Sequence, residues 1–182
     1  MSYITTVSGK HFDPVHPQEE LIEAYDIAHS LSLVCRGNGH CRFFYSVAQH
    51  CLACAKEAEA RGETDRVILG CLLHDASEAY LSDVTRPIKQ ELKEYLRVED
   101  VLQDLIWAHF LGTAPTAKER EKIFAIDDLM LSLEFHQIMF EDVNEDYKNL
   151  TRPHECRQRD WQEVQQEFLE MMRQYQPKGG RA

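Results

Sequence analysis

Val67-Ile68-Leu69-Gly70-Cys71-Leu72-Leu73-His74-Asp75-Ala76 is the stretch on which the reading of this chain turns. The apolar residues cover every side of the run, the pattern of a helix at the centre of a bundle, and Thr64 or Asp65 stands where a cap is needed. It ends on two titratable side chains. Burying an ionised Asp there costs several kcal/mol unless a strong partner compensates. A divalent cation is one such partner, because it takes imidazole and carboxylate together. A buried Lys, Arg or His beside Asp75 is the other.

Outward from this run the helical period continues in both directions. Leu21, Ile22, Tyr25, Ala28, His29, Leu31 and Ser32 keep i, i+3, i+4 spacing and stop at Arg36-Gly37-Asn38-Gly39, a turn rich in glycine. A second helix runs from Tyr45 to Arg61, with Val47, His50, Cys51, Cys54, Ala55 and Ala58 on one face and Gly62 closing it. Pro87 interrupts the chain beyond the central run. Tyr95 to Leu111 is amphipathic and stops at Gly112, and Thr116 with Glu119 has capping-box spacing ahead of a long helix through Ile138. After the polar segment Glu141 to Pro153, a last helix turns Trp161, Val164, Phe168 and Met171 inward, and the tail Pro177-Lys178-Gly179-Gly180 is expected to fray. Gly9, Pro14 and Pro17 make the first 17 residues an irregular arm. No strand pattern is evident, so the expected fold is all-α, a helical bundle or orthogonal array.

At 182 residues the chain fits one domain. Its composition, 43% hydrophobic and 28% charged, is that of a globular protein, with no run near the ~20 apolar residues of a membrane span. The start, Met1 to Lys10, carries no secretory or transit pattern, so a cytoplasmic protein is expected. The formal charge of −11 disfavours polymeric DNA or RNA as a partner, though a cation and local arginines can reverse the potential in one cleft. The six cysteines are expected to be free thiols, and Cys51 and Cys54 to be small buried residues on an apolar helix face.

His50 lies on the apolar stripe of its helix. Taken alone, such a histidine reads as a core residue satisfied by a hydrogen bond. Asp127 occupies an inward position in Phe124-Ala125-Ile126-Asp127-Asp128-Leu129-Met130, whereas Asp128 points about 100° away and is expected to be solvated. Three such groups on three core helices each need a separate structural reason unless they share one ligand.

The order H…HD…D, together with Asp26-Ile27-Ala28-His29-Ser30-Leu31, Arg36, Asn38-Gly39-His40, Phe44-Tyr45-Ser46-Val47-Ala48-Gln49-His50 and Leu73-His74-Asp75-Ala76-Ser77-Glu78-Ala79-Tyr80-Leu81-Ser82-Asp83, resembles the HD-domain phosphohydrolase superfamily. The similarity is to its small bacterial and phage branch, the HD-type 5'-deoxynucleotidases and a phage dATP triphosphohydrolase, and it covers roughly residues 5 to 140. It implies one HD domain over residues 1–182, with the arm at 1–17, the core at 18–140 and a C-terminal helix at 154–175. His50, His74, Asp75 and Asp127 take the metal-ligand roles by this resemblance; Asp127 is preferred to Asp128 because the family's step of seven from Asp to Glu then reaches Glu134. Glu78 and Asp83 match the family's catalytic acids, and Glu78, four residues after His74 and three after Asp75, shares their face if the helix continues. Arg36, His40 and Arg42 are the candidate substrate-binding residues, with Arg86 a further charge at the mouth. Where the deoxynucleotidases carry a tryptophan after the arginine, this chain has Gly37.

The activity so implied is that of a metal-dependent phosphohydrolase. One divalent ion (Zn, Mn, Co, Fe, Ni or Mg) lowers the pKa of bound water from about 15.7 toward ~7 for attack on phosphorus. The expected substrate is a small nucleotide, either a (deoxy)nucleoside 5'-monophosphate or a dNTP. A non-catalytic, metal-containing nucleotide sensor is the alternative, and a homodimer or higher homo-oligomer is compatible with the amphipathic helices.

Overall fold

The computed structural model describes residues 3–139, 141 and 143–177. Among these the regular elements are helices, apart from one hairpin of two-residue strands. The hairpin pairs β1 (Ile4–Thr5) with β2 (His11–Phe12), antiparallel, Ile4 opposite Phe12. The arm expected to be irregular is therefore folded back and fastened. Asp26 accepts hydrogen bonds from the Ser8 amide (2.8 Å) and hydroxyl (2.7 Å), and the fully buried Phe12 stacks on Tyr80 with ring centroids 4.1 Å apart. Two-residue strands are too short to leave a period of two in the sequence.

Helices α1 (Ala24–Leu33), α2 (Val47–Ala60), α3 (Asp65–Leu72), α4 (Glu78–Leu81), α5 (Arg86–Lys89), α6 (Lys93–Leu111), α7 (Ala117–Ile138) and α8 (Trp161–Tyr175) follow. The caps at Thr64 and Thr116 are those the sequence announces, and a further one stands at the start of α2. Ser46 and Gln49 close a capping box on α2, Thr64 caps α3, and Thr116 with Glu119 closes a box on α7. Gly112 ends α6 at φ 82°, a left-handed conformation that costs glycine little. Pro87 lies in the first turn of α5, where its missing N–H leaves no helical bond unmade.

Helix α3 is the centre of the molecule, in contact with α2, α6, α7 and α8. From Val67 to Leu72 every one of its residues is buried. Gly70 permits the approach of α7: a Cβ at this position would lie 2.5 Å from Ile123 Cδ1. Ile123 is one turn before Asp127 on α7 and Gly70 precedes His74 by four residues, so this crossing lies next to those two side chains. Trp107 of α6 fills the space beside it and donates its indole N–H to the Gly70 carbonyl at 3.3 Å.

The chain departs from expectation at two helix ends. The central run stops at Leu72, and residues 73–77 form a turn, so His74, Asp75 and Glu78 do not share one helix. Gln103 of α6 holds this turn open, its amide donating to the Leu73 carbonyl (2.7 Å) and accepting from the Ser77 amide (3.0 Å). At the other end, the helix expected over residues 154–175 begins only at Trp161, with Asp160 accepting from the Gln162 and Glu163 amides. The preceding residues are extended because their backbone groups bond to other helices: Arg157 O accepts from Gln49 of α2 and Cys156 N donates to Gln137 of α7, both at 2.8 Å. Trp161 is half-buried, edge-on to His29. The tail beyond Pro177 lies outside the described residues.

Candidate metal centre

Four side chains from α2, the 73–77 turn and α7 point their outer atoms at one spot. His50 Nε2 is 3.1 Å from His74 Nε2 and 3.0 Å from Asp127 Oδ1, and His74 Nε2 is 3.5 Å from that oxygen. Asp75 Oδ2 completes the group, 3.3 Å from His74 Nε2 and 3.8 Å from His50 Nε2. The histidines are buried, and the Asp75 and Asp127 side chains are 20% and 16% exposed, so the spot is reached from one side only.

The protons on the histidines can be placed. His74 Nδ1 is 2.7 Å from the Cys71 carbonyl, which only accepts, so Nδ1 carries hydrogen. His50 Nδ1 is 2.7 Å from Glu134 Oε1, and Glu134 is fully buried. Burial opposes ionisation of that carboxyl, but His50 and Arg36 outweigh it and hold Glu134 below the usual carboxylate range. It too accepts. With both Nδ1 atoms donating, both Nε2 atoms face inward, toward two carboxylate oxygens. In the neutral imidazoles four acceptors converge; protonated at Nε2, the same rings donate to Asp127.

Ligand atoms about 2.0–2.2 Å from a divalent ion stand roughly 3.0–3.5 Å from one another in octahedral or tetrahedral arrangement. Among His50, His74 and Asp127 the separations, 3.0 to 3.5 Å, fit such an ion at their centre, and Asp75 Oδ2 stands beside it, 3.3 Å from His74 Nε2 and 3.8 Å from His50 Nε2. The electrostatics agree. Burial alone would depress both imidazoles, yet Asp75 holds His74, and Glu134 with Asp127 holds His50, above the ordinary value. Asp127 is held well below it, the hydrogen bonds from His50 and His74 overcoming its burial. The cluster draws positive charge.

Around this group, Glu134 lies two turns along α7 from Asp127, on the same face. It also ties in Arg36, whose Nη2 and Nε lie 3.2 and 3.4 Å from Oε2. Arg36 reaches Asp75 Oδ2 at 3.4 Å and Asp83 Oδ2 at 3.9 Å, so it is buried among three carboxylates at the edge of the cluster. The turn bearing it is left-handed at Gly37 (φ 58°) and Asn38 (φ 53°), which brings the Gly37 amide to Asp83 Oδ2 at 3.0 Å. Asp83 thus anchors the arginine turn, a contact the sequence did not disclose.

Glu78 stays near the cluster although the helix is broken, because its amide bonds to the Asp75 carbonyl at 3.0 Å. Its carboxyl is buried, Oε2 has no hydrogen-bond partner among the described residues, and Lys89 Nζ stands 3.8 Å from Oε1. Burial, then the charges of Asp75 and Asp83, push it well above the usual carboxylate value. Lys89 is held by Glu99 at 2.7 Å, and Arg86 lies 3.8 Å from Asp127 Oδ2 and 3.0 Å from the exposed Asp128.

Not every candidate is gathered in. His40 and Arg42 are exposed on the loop after Arg36 and stand outside the buried group, although the Arg42 amide fastens the loop to the Ile138 carbonyl at 2.9 Å. Sequence reading also passed over Gln103, Lys89 and Glu99, whose roles arise from contacts between distant segments. Cys51 and Cys54 are buried free thiols, as expected; Cys54 Sγ also lies 3.7 Å from His50 Nε2.

No protein-family model matches this chain. It is 36% identical over 144 residues to the uncharacterized protein YfdR of Escherichia coli, a match covering 78% of this chain and 75% of that protein. The chain belongs to the YfdR family. A second relative, an uncharacterized protein of Rhodobacter capsulatus, is 37% identical over 139 residues, covering 72% of this chain and 70% of its own length. Among the described residues of this YfdR-family chain, no helix is long and apolar enough to cross a membrane.

Proposed function

We propose that this chain is a metal-dependent phosphohydrolase of the HD-domain type, acting on a small nucleotide. One observation carries the reading: His50, His74, Asp75 and Asp127 present four converging acceptor atoms, with both histidine tautomers fixed by partners on the far side of the rings. Those four residues hold the cation. When bound, it supplies a Lewis acid and lowers the pKa of water at the site.

The remaining work falls to the protein's own groups. Arg36 offers a guanidinium beside the cluster and binds a phosphoryl oxygen in a charge-assisted contact, while Arg86 and Lys89 place positive charge at the rim. Glu78 carries the proton that the leaving ester oxygen needs, its burial beside Asp75 and Asp83 favouring the acid form. Asp83 positions Arg36 and its turn. A site that only bound nucleotide would have no use for an unpartnered buried acid at this place.

The test is a panel of (deoxy)nucleoside mono-, di- and triphosphates, each with Mn, Co, Zn and Mg, read for phosphate and tripolyphosphate release. Release with at least one pair, lost on chelation and restored by the ion, is expected. Stoichiometric metal with no turnover of any member would refute the enzyme and leave a binding protein.

A further inference from the structure

We propose that Cys54 is a fifth protein ligand of the cation, and that the centre therefore selects a borderline-soft transition ion such as Zn, Co, Fe or Ni over Mg. This rests on the metal reading above. Cys54 follows His50 by four residues on α2, so the two side chains lie one above the other on the same face. The thiol is fully buried, with Sγ 3.7 Å from His50 Nε2. Its sulfur and the donor atoms of His50, His74 and Asp127 all lie within 4.8 Å of one another.

A buried cysteine is ordinarily a small apolar filler, and a thiol hydrogen can satisfy one imidazole. Here it would satisfy one acceptor of four and leave the rest facing each other. Cys51 is the internal contrast, one turn back on the same helix. It groups with His74 and Asp75 and misses both His50 and Asp127, so Cys54 shares three donors of the converging set and Cys51 two.

Ligation breaks the Sγ–H bond of Cys54; the proton goes to solvent and the sulfur lone pair forms the bond to the cation, with no change of oxidation state. Sulfur beside two imidazoles favours the softer divalent ions, whereas Mg prefers oxygen donors throughout.

The experiment is Co(II) titration of the metal-free protein, read by absorption spectroscopy and equilibrium binding. One cobalt per chain with a sulfur-to-cobalt charge-transfer band in the near ultraviolet is expected. Cys51→Ser keeps the band. Cys54→Ser and Cys54→Ala, checked for folding by circular dichroism, lose it and bind cobalt at least about 10–100-fold more weakly, the loss that even an outer partner brings. If both Cys54 variants fail to fold, the wild-type band and its retention in Cys51→Ser decide the matter. Stoichiometric cobalt without a sulfur band overturns the proposal and leaves the four-ligand centre standing, as does a band lost in Cys51→Ser and kept in the Cys54 variants. No cobalt bound at all overturns this proposal and the metal reading together.

Discussion

Helix α2 buries a carboxylate–histidine pair at each end, and the two pairs are finished differently. Near its C-terminus, Glu57 accepts from the Thr151 amide (2.7 Å), Arg61 Nε (2.8 Å) and His154 Nε2 (3.0 Å). Its oxygens are met by donors, and the pair fastens the segment before α8 to the helix. Near the N-terminus, His50 takes the same kind of partner, Glu134, but its second nitrogen faces His74 and Asp127, which offer lone pairs. A buried polar group completed by donors is structure. One that ends on a ring of acceptors is a place for a cation, and that contrast can be broken or sharpened by mutation.

The largest effect is expected from Asp75→Ala. It removes one of the converging oxygens, so metal content should fall from one ion per chain toward none. With it go the several kcal/mol a metal contributes to the transition state, a loss of about 10³-fold or more in nucleotide hydrolysis. Elemental analysis and turnover measured on one preparation check this; full metal content in the variant would remove Asp75 from the centre. Glu78→Gln should separate binding from chemistry. The amide cannot donate an acid proton, so kcat should drop by about 10²–10⁴-fold while metal content is unchanged. A variant retaining full kcat on the best substrate would show that the proton comes from elsewhere.

Much of the His50–Glu134 pair's surroundings could be read from the chain, and little of the Glu57–His154 pair's. The apolar stripe of α2 places His50, and the wholly apolar α3 demands an explanation for His74 and Asp75, because these are statements about local period. The capping box at Thr116 is local as well. The turn at residues 73–77 is not, since nothing between Leu72 and Glu78 breaks a helix; the break is maintained by Gln103, some 30 residues away in sequence. Likewise Glu57 looks like a solvent-facing charge in its own helix, and only the return of residues 151–154 buries it. His40 and Arg42 are exposed on the loop after Arg36, outside the buried cluster.

Glu57→Gln tests the other half of the contrast. Burial works against ionisation of Glu57, but the hydrogen bonds from Thr151, Arg61 and His154 more than offset it and take its pKa from 4.5 to about 2. A carboxyl depressed on folding stabilises fully above its unfolded value. Its contribution is therefore present above about pH 4.5 and is lost as pH falls toward about 2. Urea denaturation at pH 7 should show Glu57→Gln destabilised by about 1–3 kcal/mol, and the gap from wild type should narrow near pH 3. Metal content at pH 7 should not change. A loss of metal in this variant would mean that the two ends of α2 are not independent.

The smallest change in stability is expected at the α3–α7 crossing. Gly70→Ala adds one methyl group to α3, and its Cβ would meet Ile123 Cδ1 at 2.5 Å. Alanine gains about 1 kcal/mol of helix propensity over glycine, while overpacking a tight contact costs about 1–3 kcal/mol. The net destabilisation is then about 0–2 kcal/mol, and the strain is relieved by moving α3 away from α7. That displacement separates His74 from Asp127, whereas the Glu57 pair involves neither helix. Metal affinity should accordingly fall with little loss of fold, measured as cobalt binding beside a thermal melt. If affinity held while the melting temperature fell, Ile123 would have absorbed the methyl group by changing rotamer, and the α3–α7 crossing would not be what sets the spacing of the metal ligands.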